Sequence, residues 1–283
     1  MKTRPVTTMT HASGTSAVRT AIAAALLALA ALPAAAADLG AAPPAMSVKA
    51  PVLPAEEDWQ YQATFYVWAT GMNGKVGVRD LPPANVDITP ADTLKNLNGA
   101  LMGSFLAKKG DWTFLGDLIF ADLGADMLLG PRGGLRASLD IQQILVQGLA
   151  GYRLPIGLPD NVALSATAGF RYQHLDADFG IASTELPIGA STGGTKDWID
   201  PTVGLLLQYS INDKWFLNAL ADVGGFGVSS KITAQGFAAL GYMWTPSVSS
   251  AIGYRAIYTD YTDGGFVYDV TQHGVFMSVA YHF

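Results

Sequence analysis

From Trp59 to the last residue, apolar positions alternate with small or polar ones in runs of about ten residues, each run bounded by turn signals. The final run is the clearest. Val275, Met277, Val279, Tyr281 and Phe283 make one set, and Gly274, Phe276, Ser278, Ala280 and His282 the other. An earlier run sets Ile199, Pro201, Val203, Leu205, Leu207 and Tyr209 against Asp200, Thr202, Gly204, Leu206 and Gln208. Another sets Leu164, Ala166, Ala168, Phe170 and Tyr172 against Ser165, Thr167, Gly169, Arg171 and Gln173. A period of two places such sets on opposite faces of a sheet. Ten strands are predicted, at 59–70, 98–109, 111–123, 137–153, 161–175, 197–211, 214–228, 231–244, 248–261 and 270–283. Residues 84–90 can pair with a neighbour and raise the number to twelve; merging over-split runs lowers it to eight.

The connections alternate in character. Those after the second, fourth, sixth and eighth runs are short: Lys109-Gly110-Asp111, residues 155–160, Asn212-Asp213 and Pro246-Ser247. Most of the others are longer and rich in Gly or Pro, with the link near Ser229-Ser230 as the exception. Short turns at one end and longer loops at the other are the habit of transmembrane barrels, and both termini then share the short-turn end. The predicted fold is all-β, a closed antiparallel up-and-down barrel over residues 59–283.

Which face meets lipid is not decided by the faces themselves. The N-terminus helps. Residues 1–20 carry Lys2, Arg4 and Arg19 and no acid, residues 21–32 are apolar, and Pro33 and four alanines follow. This is the pattern of a secretory signal peptide, with cleavage expected after Ala37; Met9 is an alternative start. Residues 38–58, with Pro43, Pro44, Pro51 and Pro54, read as a periplasmic tail. No later stretch has the roughly 18 uncharged apolar residues of a membrane helix, so an exported chain of this kind crosses a bilayer only as a closed barrel. Aromatic residues also gather at the short-turn ends: Trp59, Tyr61, Trp112, Tyr152, Tyr209, Trp215, Tyr242, Trp244, Tyr281 and Phe283. Amphipathic rings suit the headgroup level.

Only 14% of the residues are charged, against about 25% in ordinary soluble domains. With no cysteine, thiolate metal sites, thiol nucleophiles and disulfides are excluded, and four scattered histidines suggest no metal or cofactor. Removal of residues 1–37 leaves 14 basic against 23 acidic residues, a net charge of −9 where the full chain has −6. Nucleic acid, which selects a basic face, is not an expected partner.

The last run, ending in Tyr281 and Phe283, resembles the closing strand that the outer-membrane assembly machinery recognises. Ala37-Asp38-Leu39 and the Ala- and Pro-rich segment after it are similar to the start of alphaproteobacterial surface barrels. The chain thus resembles the small outer-membrane β-barrel superfamily over residues 59–283. The resemblance implies insertion into outer-membrane lipid with Tyr281 and Phe283 as the assembly signal, and it carries no functional residue across.

The faces place Asp117, Arg171, Asp200, Asp222 and Arg255 inside the barrel, with Gln143, Gln147, Gln208, Asn218 and Gln235. Charges in a dry interior are costly unless paired and hydrogen-bonded, so these residues are expected to form a network that fills the lumen; the alternative is the lining of a narrow pore. About eight strands are just filled by their side chains and a wide channel needs about sixteen, which argues against a general porin. No catalytic residues are expected. His174-Leu175-Asp176, followed by Asp178, and the group Asp260, Asp263 and His273 lie at the predicted outer rim. A His–Asp unit can activate water, as in the omptin family of ten-stranded outer-membrane proteases, yet His174 follows the lipid-facing set. A lipid-modifying enzyme needs a His–Ser pair at the lipid face, and Ser183 sits well into a loop. Residues 71–74 and 130–134 read as turns, and 92–97 as one helical turn after Pro90. The expected function is a structural or surface-interaction barrel, followed by a channel for small solutes and then a surface hydrolase.

Overall fold

The computed structural model describes residues 58–77, 83–129, 135–183 and 189–283. The signal peptide, most of the tail and the turn expected at 130–134 lie outside these residues. Ten strands form the wall: β1 (Gln60–Gly77), β3 (Leu97–Lys109), β4 (Trp112–Leu129), β5 (Leu135–Arg153), β6 (Val162–Ser183), β7 (Gly189–Ser210), β8 (Trp215–Gly224), β9 (Ile232–Thr245), β10 (Val248–Asp263) and β11 (Phe266–His282). A short β2 (Ala84–Ile88) and a helix α1 (Pro90–Lys95) lie between β1 and β3. Each wall strand pairs antiparallel with the next, and β11 closes on β1 from Gln62↔His282 to Gly77↔Val267. The continuous β1–β11 joint removes the sheet edges that the two terminal strands would otherwise present to a bilayer.

Period-two patterning explains the faces. Phe65, Val67, Leu240, Ile252, Met277 and Val279 point outward and are exposed, whereas Tyr66, Trp68, Leu145, Ile257 and Phe276 are buried inside. The outward aromatics at the near end make ring contacts: Trp59, Tyr61 and Phe283 form one group, Trp112 and Tyr152 another, Trp215, Tyr242 and Trp244 a third. Near-end turns are short for local chemical reasons. Gly110 adopts φ 58° between β3 and β4, and Asn212 Oδ1 accepts from the backbone N–H of Lys214 and Trp215 between β7 and β8.

Three segments depart from the sequence reading. Residues 71–74, expected as a turn, continue β1; all four pair with β11, and 72–74 pair with β2 as well. Strands β4, β6 and β7 run to 18, 22 and 22 residues, well past the expected ends. Conversely β8 stops at Gly224 after 10 residues, because Gly225, Phe226 and Gly227 all take positive φ and turn the chain. The wall is therefore low at β8–β9. Above that hairpin β7 meets β10 directly: Trp198 stacks on Tyr261 with centroids 4.4 Å apart, and Lys196 Nζ lies 2.7 Å from Asp263.

Helix α1 begins with a capping box. The Thr89 hydroxyl accepts from Asp92 N at 3.2 Å, and the Asp92 carboxylate accepts from the Thr89 hydroxyl at 2.6 Å and from its backbone N–H at 3.4 Å. The bonds from Thr89, the side-chain one foremost, hold the Asp92 carboxyl below its ordinary pKa. A depressed folded-state value contributes stability above the unfolded pKa and loses it as pH falls through the folded one. Acidification below the ordinary carboxylate range is therefore expected to move the backbone carbon shifts of 90–95 toward coil values. Shifts that stay fixed while the Asp92 carboxyl itself titrates would count against the box as a determinant of this turn.

Candidate functional site

The lumen is layered. Toward the far end Met72, Leu175, Trp198, Tyr261, Phe266, Tyr268 and Val270 form an apolar plug. Below it Tyr66, Trp68, Ile119, Leu145, Ala239, Ile257 and Phe276 pack together, and Leu149, Leu206 and Leu220 form a smaller cluster. A polar network threads between these groups.

Its centre is Arg255 on β10. One guanidinium nitrogen lies 2.7 Å from Asp117 Oδ2 on β4, and a second donates to the Tyr66 hydroxyl on β1 at 3.2 Å. Nε and Nη2 both donate to Gln235 Oε1, at 3.1 and 2.8 Å. The Tyr66 hydroxyl in turn donates to Asp117 Oδ1 at 2.5 Å. Gln235 carries the network to Asp222 on β8, donating at 3.0 Å, and Gln147 donates to the same oxygen at 3.0 Å. Arg171 on β6 completes it, with Nη2 2.6 Å from Asp222 Oδ1 and Nη1 donating to Thr233 at 2.8 Å. Arg171 and Arg255 face Asp117 and Asp222, so this set is charge-balanced, and all four side chains are buried. Balanced charges with nearly every hydrogen-bonding position filled are the condition under which ions survive in a dry interior. Alternation made these residues legible as inward; the hub role of Gln235 and the Tyr66 bridge were not, because neither is charged.

Asp200 stands apart. It is fully buried and lies opposite Arg171 in the β6–β7 register, but its carboxylate is taken by the β8–β9 loop. Ser230 donates to it from the backbone N–H at 2.8 Å and from the hydroxyl at 2.6 Å. Asp200 thus fastens the low hairpin to β7 and does not join the arginines. Higher in the lumen, Gln143 and Gln272 exchange two hydrogen bonds, 3.1 and 2.7 Å long. Gln208 and Asn218 line a vestibule of about 120 Å³ that ends at Asp117 and Arg255.

The remaining candidates lie on the outside. His174 Nδ1 is 2.7 Å from Asp197, which also accepts from the Tyr172 hydroxyl at 2.5 Å; its partner is therefore not Asp176. His273 bonds to Tyr254 and Asn73, at 2.6 and 2.8 Å, and not to Asp260 or Asp263. Among the described residues no cluster of three His, Asp or Glu could hold a metal ion. Tyr281 and Phe283 are exposed on the outward face, with rings 5.7 Å apart.

The architecture is shared with a known outer-membrane barrel. No protein-family model and no curated protein matches the chain by sequence. Among solved structures it is similar to the outer membrane protease OmpT from Escherichia coli, at 11% identity over 82% of this chain and 99% of that one, with a TM-score of 0.53. The attachment invasion locus protein Ail of Yersinia pestis aligns at 14% identity over 80% of this chain and 99% of that one, with a TM-score of 0.38. The likeness to OmpT shows the closed ten-stranded barrel fold.

Proposed function

We propose that the chain is a non-enzymatic barrel of the Gram-negative outer membrane with a structural or surface-interaction role, closed to solute flow. The observation that carries this reading is the charge-balanced Arg171–Asp222 and Arg255–Asp117 network, set among apolar clusters across the lumen. The outward apolar face between the near-end aromatics and the polar group Asn73, His273 and Tyr254 supports placement in a bilayer. Bilayer lipid and, during insertion, the assembly machinery reading Tyr281 and Phe283 are the proposed partners; the alphaproteobacterial likeness rests on residues 37–39 and their Ala/Pro-rich neighbours alone.

Purified barrel reconstituted in planar bilayers is expected to give no steady conductance above the bare membrane. Stable unitary steps would replace this reading with a second one, a narrow channel that opens from the near-end vestibule through a rearranged network. The vestibule, with Gln62, Thr64, Ser104, Gln208 and Asn218 in its lining, is the feature that favours that second reading.

A further inference from the structure

The wall has an incomplete seam between β1 and β3. β1 pairs with β3 only from Gln60↔Lys108 to Phe65↔Gly103. Higher up, the same edge of β1 pairs with β2, from Met72↔Ile88 to Val76↔Ala84. Residues 66–71 of β1 therefore have no strand partner on that side, a stretch of about 20 Å at strand rise. On the facing strand, β3 and β4 change register between Leu97 and Gly99, a bulge that bends the top of β3. Helix α1 lies across this region, with Pro90 against Gly71.

Behind the seam lies a cavity of about 300 Å³, at the small end of ligand pockets. Its lining passes through the wall: Trp68, Ile119 and Gln143 are buried inward residues, whereas Val67 is 53% exposed on the outside. Val67 lies in register with Met277, which faces Ile252, and all three are exposed and apolar. The opening is thus at the height of the apolar band, six residues above Tyr61 and six below Asn73, and what stands outside it is hydrocarbon.

Trp68, which lines the cavity, has two donors without an oxygen acceptor. Its backbone N–H reaches only the Met102 sulfur at 3.4 Å, a weak acceptor. Its indole N–H is buried and has no partner among the described residues. Among the described residues no Lys or Arg lines the cavity and Asp92 does, which disfavours an anionic ligand.

We propose that this seam is a lateral portal through which an uncharged single-chain amphiphile, an alcohol or an ester, enters from the bilayer and seats its oxygen against Trp68. The inference rests on the membrane placement proposed above. The hydrocarbon chain occupies the apolar side of the cavity, and its oxygen supplies the acceptor that the seam lacks.

The test uses the full barrel folded into vesicles, with Trp59, Trp112, Trp198, Trp215 and Trp244 replaced by phenylalanine so that Trp68 alone fluoresces. Bromine quenches an indole on close approach. Added 2-bromoundecanol, whose bromine sits on the carbon next to the one bearing the hydroxyl, is expected to quench Trp68 saturably, more strongly than 2-bromoundecanoate, and Ala121→Phe, which fills the cavity from β4, is expected to reduce that quenching several-fold. Vesicles of phospholipid brominated on its acyl chains identify the source. Quenching by them that Ala121→Phe also relieves assigns the site to a lipid ester chain; its absence, with bromoundecanol still quenching, assigns it to a free amphiphile. No quenching by bromoundecanol or brominated lipid in a protein that inserts and shifts on unboiled gels overturns the portal, as does quenching that Ala121→Phe leaves unchanged. A protein that fails to insert in its wild-type form overturns the membrane placement instead.

Discussion

Replacing Arg255 with alanine is expected to destabilise the barrel by about 3–5 kcal/mol, the usual cost of stripping one partner from a buried ion pair. The change leaves Asp117 buried with the Tyr66 hydroxyl as its remaining donor, and removes both donors to Gln235 Oε1. It also removes the guanidinium that lies 5.3 Å from the Trp68 ring centroid. Paired replacement should behave differently. Arg255→Met with Asp117→Leu deletes both charges and keeps the volume, so most of the lost stability should return. Denaturant unfolding in detergent micelles, followed by mobility on unboiled gels, measures both variants. An Arg255→Ala barrel that unfolds with the wild type would mean that water reaches Asp117, and the lumen would then have to be treated as wet.

Gly274→Val is expected to prevent barrel closure outright. Gly274 faces Thr70 across the β1–β11 ladder, and a Cβ built there would lie 1.7 Å from the Ala69 carbonyl oxygen and 2.7 Å from its carbon. Both obstacles are backbone, so no side-chain rotation relieves them. The two strands would have to separate near the middle of the joint that converts a sheet into a cylinder, where glycine permits close backbone approach. Gly236→Ala, whose Cβ meets nothing within 4 Å, is the matched control. The heat-dependent gel shift should vanish for Gly274→Val and persist for Gly236→Ala; a retained shift with wild-type unfolding in the valine variant would show that the joint yields.

The features legible in the sequence were those written as a two-residue period. Sets such as Val275-Met277-Val279 keep one face apolar against a small or polar opposite face, so strand identity and direction could be read wherever both faces have a demanding environment. That logic weakens beyond the apolar band. Residues 189–196, Gly-Ala-Ser-Thr-Gly-Gly-Thr-Lys, extend β7 with no apolar face to betray the strand. The segment 71–74 misled for the opposite reason. Gly71, Asn73 and Gly74 are turn-forming types, yet β11 holds all three extended and β2 pairs with the last two from the other side. Inward charges were readable individually, while their pairing was not, since it depends on the relative height of strands far apart in sequence. Asp200 illustrates this, satisfied by Ser230 rather than by the arginine opposite it. The seam is invisible to any periodicity, because it is a property of which strand stops pairing with which.

The network has a kinetic consequence. Its bonds join residues very distant along the chain: Arg255 and Tyr66 are 189 positions apart, Gln143 and Gln272 are 129 apart, and Gln147 and Asp222 are 75 apart. Closing loops of that size is entropically unfavourable until many contacts form together. Asp117 is synthesised 138 residues before Arg255, so its carboxylate stays hydrated until β10 is in place. Drying of the interior is then among the last events of assembly, and a chain arrested before β10 is a water-filled, incomplete sheet with its acidic residues still solvated. Such a chain should exchange its interior amides rapidly even where the early hairpins have already formed.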